Sequence, residues 1–244
     1  MQIIPRPLKP DPQRWSNFRG VKKININDLA QIFPGYHPLH EVQLTTSGCQ
    51  IPGQMTFAEM GILVSVVRAL RAVSFAQIGT FDGITIRNIL DNCPDLKSVV
   101  TVDLPDTLHA SKGAGTAFPT DNFNASIVNV TDIGYRFRNH PRAGIVRDVR
   151  KDSATLTPAD FPMPPEVFFV DGNHSYDYCS SDTRIALSVL ARPGVMIWHD
   201  FGQIDDLPGV TRALTELADD KSYSLYWLKG FPETTLVFGI QNPV

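Results

Sequence analysis

Two apolar runs, Ser222-Tyr-Ser-Leu-Tyr-Trp-Leu228 and Thr235-Leu-Val-Phe-Gly-Ile240, decide how the rest of the chain is read. Both have the aromatic and branched composition of strands, and only residues 229–234, with Gly230 and Pro232, separate them. Parallel neighbours need a crossover of a dozen or more residues, so this pair is antiparallel.

Upstream the pattern differs. Short apolar runs at Val73 to Ile78, Ser98 to Val102, Ile145 to Val149, Val167 to Val170 and Val195 to Trp198 each lead into a polar or glycine turn. Strands buried on both faces have this character. Helical patterns near Ile84 to Asn92, Asn124 to Arg138, Tyr178 to Leu190 and Val210 to Asp219 lie between or after them. The alternation predicts a doubly wound α/β fold, a mainly parallel seven-stranded sheet closed by a C-terminal antiparallel hairpin. A further helix should begin after Thr56, where Thr56-Phe-Ala-Glu59 has the capping-box spacing, and run to about Ala72. Before it, residues 1–52 are rich in proline, with only a short periodic run near Ile26 to Phe33, and read as an irregular arm or lid on a domain spanning 53–244.

A chain of 244 residues, 43% hydrophobic, can bury roughly 70 to 75% of its unfolded surface as one domain, so it needs no metal or disulfide merely to fold. Cys49, Cys93 and Cys179 form neither a CxxC nor a zinc spacing, which points to a reducing compartment. The first ten residues hold three prolines and no apolar h-region. The apolar stretch from Phe57 to Leu70 is interrupted by Glu59, Gly61, Ser65 and Arg68 and falls short of the ~20 residues of a bilayer span. These features predict a soluble, cytoplasmic protein with no membrane partner. The sequons at Asn124, Asn129 and Asn173 are read as chance. A net charge of -3 argues against a general nucleic-acid binder. The basic run Arg136, Arg138, Arg142, Arg147, Arg150 and Lys151 reads first as a solvated face and second as a seat for a phosphate or acidic sugar.

The first strand of the alternating region ends in Phe75-Ala-Gln-Ile-Gly-Thr-Phe-Asp-Gly83, where Gly79 and Gly83 let a turn approach a ligand ahead of a helix N-terminus. The next strand ends in Asp103, 24 residues after Gly79, a spacing at which an acid accepts hydrogen bonds from ribose hydroxyls. Asp152-Ser153 comes after the third strand. Val167-Phe-Phe-Val-Asp-Gly-Asn-His-Ser-Tyr176 places Asp171 at a strand end with His174 in the loop beyond, and Met196-Ile-Trp-His-Asp200 does the same for His199 and Asp200. Ligands of open α/β sheets bind beyond the carboxyl ends of the strands, so these groups should meet there. An alcohol becomes a good nucleophile only when its proton is removed, and a histidine suits that task near neutral pH.

From about Gly53 to Gly239 the sequence resembles the class I S-adenosylmethionine-dependent methyltransferases, in the branch similar to catechol and macrolide-sugar O-methyltransferases. The resemblance rests on Ile78-Gly-Thr-Phe-Asp-Gly83, Asp152-Ser153, Phe169-Val-Asp-Gly-Asn-His-Ser-Tyr176, Arg192-Pro-Gly194, Trp198-His-Asp200 and Gly209-Val-Thr-Arg-Ala-Leu214. It implies that Gly79, Thr80 and Gly83 line the methionine part of the cofactor, that Asp103 holds the ribose, and that Asp152 and Ser153 lie near the adenine. It makes His174 the general base, and it matches Asp171, His199 and Asp200 to positions that hold a divalent metal, Mg or Mn, in metal-dependent members. Gln77 stands where the family usually has an acid, and His199 where some members have a carboxylate.

The implied function is O-methylation of a small-molecule or sugar hydroxyl. The rivals are a nicotinamide-dependent oxidoreductase, for which no tyrosine is followed four residues later by lysine, and a non-catalytic nucleoside-binding protein. For His199 the other reading is a side chain turned into the sheet to bond a backbone carbonyl. Asp182, Asp205 and Asp206 read as solvated acids, and Trp198 as core. Residues 1–52 and 105–123 are expected to shape the acceptor pocket; self-association is left open.

Overall fold

The structure, a computed structural model, describes residues 17–18, 20–46, 54–111, 115–118, 132–203, 208–220, 222–230 and 233–242. Among them the strands are β1 (Asn17–Phe18), β2 (Val21–Ile24), β3 (Ser74–Ile78), β4 (Ser98–Asp103), β5 (Val146–Arg150), β6 (Val167–Val170), β7 (Val195–Trp198), β8 (Tyr223–Leu228) and β9 (Val237–Gln241). They form one sheet in the order β1-β2-β8-β9-β7-β6-β3-β4-β5. The pairings from β7 through β5 are parallel, whereas β9 runs antiparallel to both β7 and β8. The seven expected strands are therefore all present, and the hairpin deduced from its short connection is β8–β9.

The N-terminal segment supplies what its composition hides. Where described, its first half is regular and its second, residues 33–46, is not: β2 adds to β8 in parallel, with β1 antiparallel outside it, and α1 (Ile26–Ile32) comes next under a capping box built by Asn25 and Asp28. Strand β2 is too short and too lysine-rich for a strand period to stand out.

The helices after it are α2 (Phe57–Ala69), α3 (Ile84–Asn92), α4 (Asp106–Ala110), α5 (Tyr135–Arg138), α6 (Tyr176–Val189) and α7 (Pro208–Leu217). Of the helix expected over 124–138, residues 135–138 are helical and 121–131 lie outside the described residues. Strand alternation sends Phe75, Val99, Phe169, Ile197 and Phe238 to one face, where α1, α2 and α3 cover them. Ala76, Val100, Phe168, Met196 and Trp198 point to the other, under α6 and α7. Trp198 is fully buried and its indole N–H donates to Thr183 Oγ1.

The sheet order reverses between β3 and β6, and there the two backbones nearly touch. Gly79 has φ +96°, and a Cβ on it would lie 1.8 Å from the carbonyl oxygen of Asp171. A left-handed backbone and a backbone collision both exclude any side chain. Gly79→Ala is expected to lower stability by more than about 3 kcal/mol in urea unfolding. Gly144→Ala, where a Cβ would meet nothing within 4 Å, should change it by about 0.5 kcal/mol or less.

Candidate active site

Four strand tips stand in a row at the reversal. Gly79 N–H donates to Val102 O at 2.9 Å, Asp171 N–H to Ile78 O at 2.9 Å and His199 N–H to Val170 O at 3.2 Å. The tips of β4, β3, β6 and β7 thus present Asp103, Gly79, Asp171 and the pair His199–Asp200 side by side.

The turn after β3 is held by an acid from the neighbouring strand. Asp103 Oδ2 accepts the N–H groups of Thr80 at 3.0 Å and Phe81 at 2.9 Å, while Oδ1 accepts Leu104 N–H at 2.8 Å. Thr80 Oγ1 and Thr101 Oγ1 share a hydrogen bond of 2.6 Å beneath the turn. Gly83, at φ +86°, opens α3 with no side chain of its own to cap it; Asp82 Oδ1 accepts the Ile84 N–H at 3.0 Å, and Phe137 and Gly134 pack against Gly83. Asp82 braces the turn from outside: its Oδ2 takes Arg136 Nε at 2.6 Å and Gln54 Nε2 at 2.8 Å. Gln77 lies fully buried below. Its Nε2 donates to Gly79 O and Thr101 Oγ1, both at 3.0 Å, which fixes the amide orientation and leaves Oε1 a buried acceptor with no donor.

On the other side of the row, two imidazoles meet three carboxylates. His174 Nε2 lies 2.8 Å from Asp200 Oδ2, and His199 Nδ1 lies 3.1 Å from both Asp171 Oδ1 and Asp200 Oδ2. The far nitrogen of His199 faces Glu59 Oε2 at 3.3 Å, an ion-pair distance without the alignment of a hydrogen bond. In the sequence Glu59 is legible only as a capping residue. It does cap α2, accepting Thr56 N–H on Oε2, but its Oε1 also accepts the N–H and hydroxyl of Thr235 just before β9. Its burial next to an imidazole has no local signal.

The charges are strongly coupled. Burial alone would lower the His199 pKa, yet Asp171, Asp200 and Glu59 outweigh it and hold the ring well above its usual range. The same contest, decided mainly by the hydrogen bond to Asp200, raises His174. Burial would push Glu59 up, but His199 pulls it down to about 2. Asp200 is held far below the usual carboxylate range by both histidines despite its burial. Donor atoms of Asp171, His174 and Asp200 lie within 4.8 Å of one another, so the converging set contains His174, with His199 approaching both carboxylates from the buried side. The His199 ring bonds no sheet carbonyl among the described residues; it reaches these acids instead.

A family profile described as a methyltransferase domain matches residues 76–201, more than half of the chain. The chain belongs to this methyltransferase family. No curated protein matches it in sequence. Among solved structures, the O-methyltransferase TomG from Streptomyces achromogenes, in complex with SAM, aligns at 16% identity over 78% of this chain and 82% of its own, with a TM-score of 0.57. The SAH-bound Podospora anserina methyltransferase aligns at 10% identity over 80% and 83%, with a TM-score of 0.57. The Bacillus cereus O-methyltransferase in complex with SAH aligns at 14% over 79% and 84%, with a TM-score of 0.53. At these identities the likeness is one of fold. That fold is the Rossmann-like α/β one, and the family match makes the chain a methyltransferase of class I.

The residues of this methyltransferase fit S-adenosylmethionine. Gln77 Oε1, buried beneath the turn with no donor among the described residues, is an acceptor suited to the amino group of a methionine tail. No helix among the described residues is long and apolar enough to cross a membrane.

Asp152 and Ser153 lie farther along the crevice. Asp152 accepts Ala154 N–H and the Tyr178 hydroxyl on Oδ1, and Ala117 N–H on Oδ2 at 2.7 Å. It therefore pins residues 115–118 and α6 together. The basic run is likewise used within the fold: Arg142 donates to the carbonyls of Leu90, Cys93 and Leu96, Arg150 pairs with Asp148, and Lys151 with Asp160. Asp182 corrects the sequence reading. Far from solvated, it is fully buried on α6, beneath Gly172, and neither carboxylate oxygen has a hydrogen-bond partner among the described residues. Asp205 and Asp206 lie outside the described residues.

Burial, and secondarily the charge of Asp152, push the Asp182 pKa up to about 7; the nearby Ser153 hydroxyl offsets part of this without forming a well-aligned hydrogen bond. A carboxyl raised in the folded state contributes stability below its unfolded pKa and loses it as pH rises through the folded one. Asp182→Asn should therefore gain stability relative to the parent between about pH 4 and 7, approaching on the order of 4 kcal/mol above that window. Paired denaturant titrations at pH 4.5 and 8 measure the difference; an equal offset at both values would contradict it.

Proposed function

We propose that this methyltransferase moves a methyl group to a hydroxyl of a small molecule, sugars included, and that His174 removes the hydroxyl proton. The observation that carries this is the His174–Asp200 pair, 2.8 Å apart beside the glycine turn. With Nε2 directed at a carboxylate, Nδ1 is the ring nitrogen left to take a proton, and Asp200 stabilises the imidazolium that results. Two of the solved structures of like fold are O-methyltransferases, which supports oxygen as the nucleophile.

When bound, S-adenosylmethionine supplies an electrophilic methyl on a sulfonium sulfur, which keeps the bonding pair when the methyl leaves. The protein aligns the reacting atoms. Gly79, Thr80 and Gly83 seat the methionine half. Asp103 fixes the turn and receives ribose hydroxyls. Asp152 and Ser153 form the wall on which the adenine rests, Asp152 through the backbone it holds. The acceptor oxygen approaches next to His174. The setting is a cytoplasmic one. A dehydrogenase reading gains nothing, because the Asp–His cluster has no part in hydride transfer.

Calorimetry should show S-adenosylmethionine binding to the parent and a loss of roughly 1.5 to 3 kcal/mol in Asp103→Ala, the range for hydrogen bonds to a charged group. Unchanged affinity would refute the ribose role. With a panel of phenols and glycosides, monitored by S-adenosylhomocysteine release, His174→Ala should lose roughly 10²- to 10⁴-fold in turnover while retaining cofactor affinity. Turnover within a few-fold of the parent would remove His174 from the mechanism.

The pH profile tests the pair. Because the His174 pKa is raised from 6.5, the parent's rate should climb as the ring deprotonates at a pH above that value. Asp200→Asn removes the charge that raises it, so the midpoint should move to lower pH; a midpoint that stays or rises contradicts the dyad.

A further inference from the structure

We propose that the His199 ring fills the place between Asp171 and Asp200 that a divalent ion takes in metal-dependent relatives, and that the chain works without a metal. Both ring nitrogens face carboxylates: Nδ1 lies 3.1 Å from Asp171 Oδ1 and from Asp200 Oδ2, and Nε2 lies 3.3 Å from Glu59 Oε2. The side chain is only 8% exposed, so the ring itself fills the space between these acids.

The surroundings fix that arrangement. Glu59 cannot swing away, because Thr56 and Thr235 each supply an N–H and a hydroxyl to its oxygens, at 2.8 to 3.0 Å. Asp200 is occupied as well. Its Oδ1 accepts Gln203 Nε2 at 2.6 Å, and its Oδ2 serves both histidines. Asp171, His174 and Asp200 do converge closely enough to be considered as a cation site. A dication of any kind there would have to displace these donors from Asp200 and move the His199 ring from between the two carboxylates. A magnesium site also requires oxygen donors, and two of the four groups here are imidazoles. The donor set therefore does not fit magnesium, the packed ring leaves no place for another dication, and the acceptor is positioned by protein groups alone. A single hydroxyl then suffices; a chelating pair of hydroxyls is not required.

The metal arm of the test needs no acceptor and so stands apart from the O-methyl reading. The full chain, stripped with chelator, is titrated with Mg²⁺, Mn²⁺ and Zn²⁺ by calorimetry, and metal content is measured on protein purified without chelator. The parent should retain no stoichiometric metal and show no one-to-one binding at millimolar Mg²⁺ or tens of micromolar Mn²⁺ or Zn²⁺. His199→Asp, which restores a carboxylate, should bind Mn²⁺ at least ten-fold more tightly than the parent, and its unfolding temperature should become chelator-sensitive. Parent protein that binds one ion and loses it in Asp171→Asn overturns the proposal, as does a folded His199→Asp with no gain in metal affinity. If His199→Asp fails to fold, the parent titration decides alone. Where an acceptor has been found, parent turnover should be unchanged by chelator; loss on chelation with recovery on one divalent ion overturns the proposal, while a folded, metal-free and inactive parent argues against the O-methyl reading only.

Discussion

The carbonyl oxygen of Asp171 fills the space in which residue 79 would otherwise carry a side chain. That contact brings β3 and β6 together where the sheet changes direction, and the crevice exists because the two chains leave each other immediately above it. It also constrains the loops on both sides. Behind Gly79 the chain must turn sharply, and Asp103 gathers the freed N–H groups of Thr80 and Phe81. Behind Asp171 the loop to α6 starts from an immobile backbone, which delivers His174 beside Asp200. Gly209 extends the same economy of space, since a Cβ there would lie 2.4 Å from His174 O; α7 can pack directly on the loop that carries His174.

The site buries acids in two contrasting ways. Glu59 and Asp200 are surrounded by donors and imidazoles, so their ionised forms are favoured and their pKa values fall. Asp182 has no such partner and answers its burial by holding a proton up to about pH 7. The difference lies in the neighbours, because all three are buried. The crevice is therefore bordered on one side by acids paired with two imidazoles and on the other by Asp182, whose charge appears only as pH rises toward about 7.

Much of this architecture is legible in the amino-acid sequence, because the informative features are local. A strand ending in glycine, an acid one strand later, and two histidine–aspartate blocks at strand ends are separate short signals whose meeting is dictated by the rule for open sheets. The helix of 84–92 and the cap at Thr56 are legible for the same reason. What escapes depends on contacts across the fold. Asp182 falls on α6 at a position that looks solvent-facing until Gly172 and Ser153 are packed over it. Glu59 looks complete as a cap, and nothing nearby in sequence announces His199 or Thr235. Strand β2, Val-Lys-Lys-Ile, is defined by its partner β8 rather than by its own residues. His199 reads equally as a ligand or as a sheet-facing side chain, because one sequence cannot show that a third carboxylate waits behind it.

The terminal hairpin does more than close the sheet. Strand β9 enters between β7 and β8 in antiparallel sense, and the residues just before it therefore run past the tip of β7. Thr235 lies there. Its hydroxyl receives Asp200 N–H at 3.1 Å, its carbonyl receives Phe201 N–H at 3.1 Å, and its own N–H and hydroxyl donate to Glu59. One threonine thus supports the left-handed turn at Asp200, at φ +64°, and the acid behind His199. A parallel strand in that place would present its opposite end to the crevice and could not make these bonds. The reversal of direction that identifies the fold from its last residues is the same reversal that holds the charged centre of the site together.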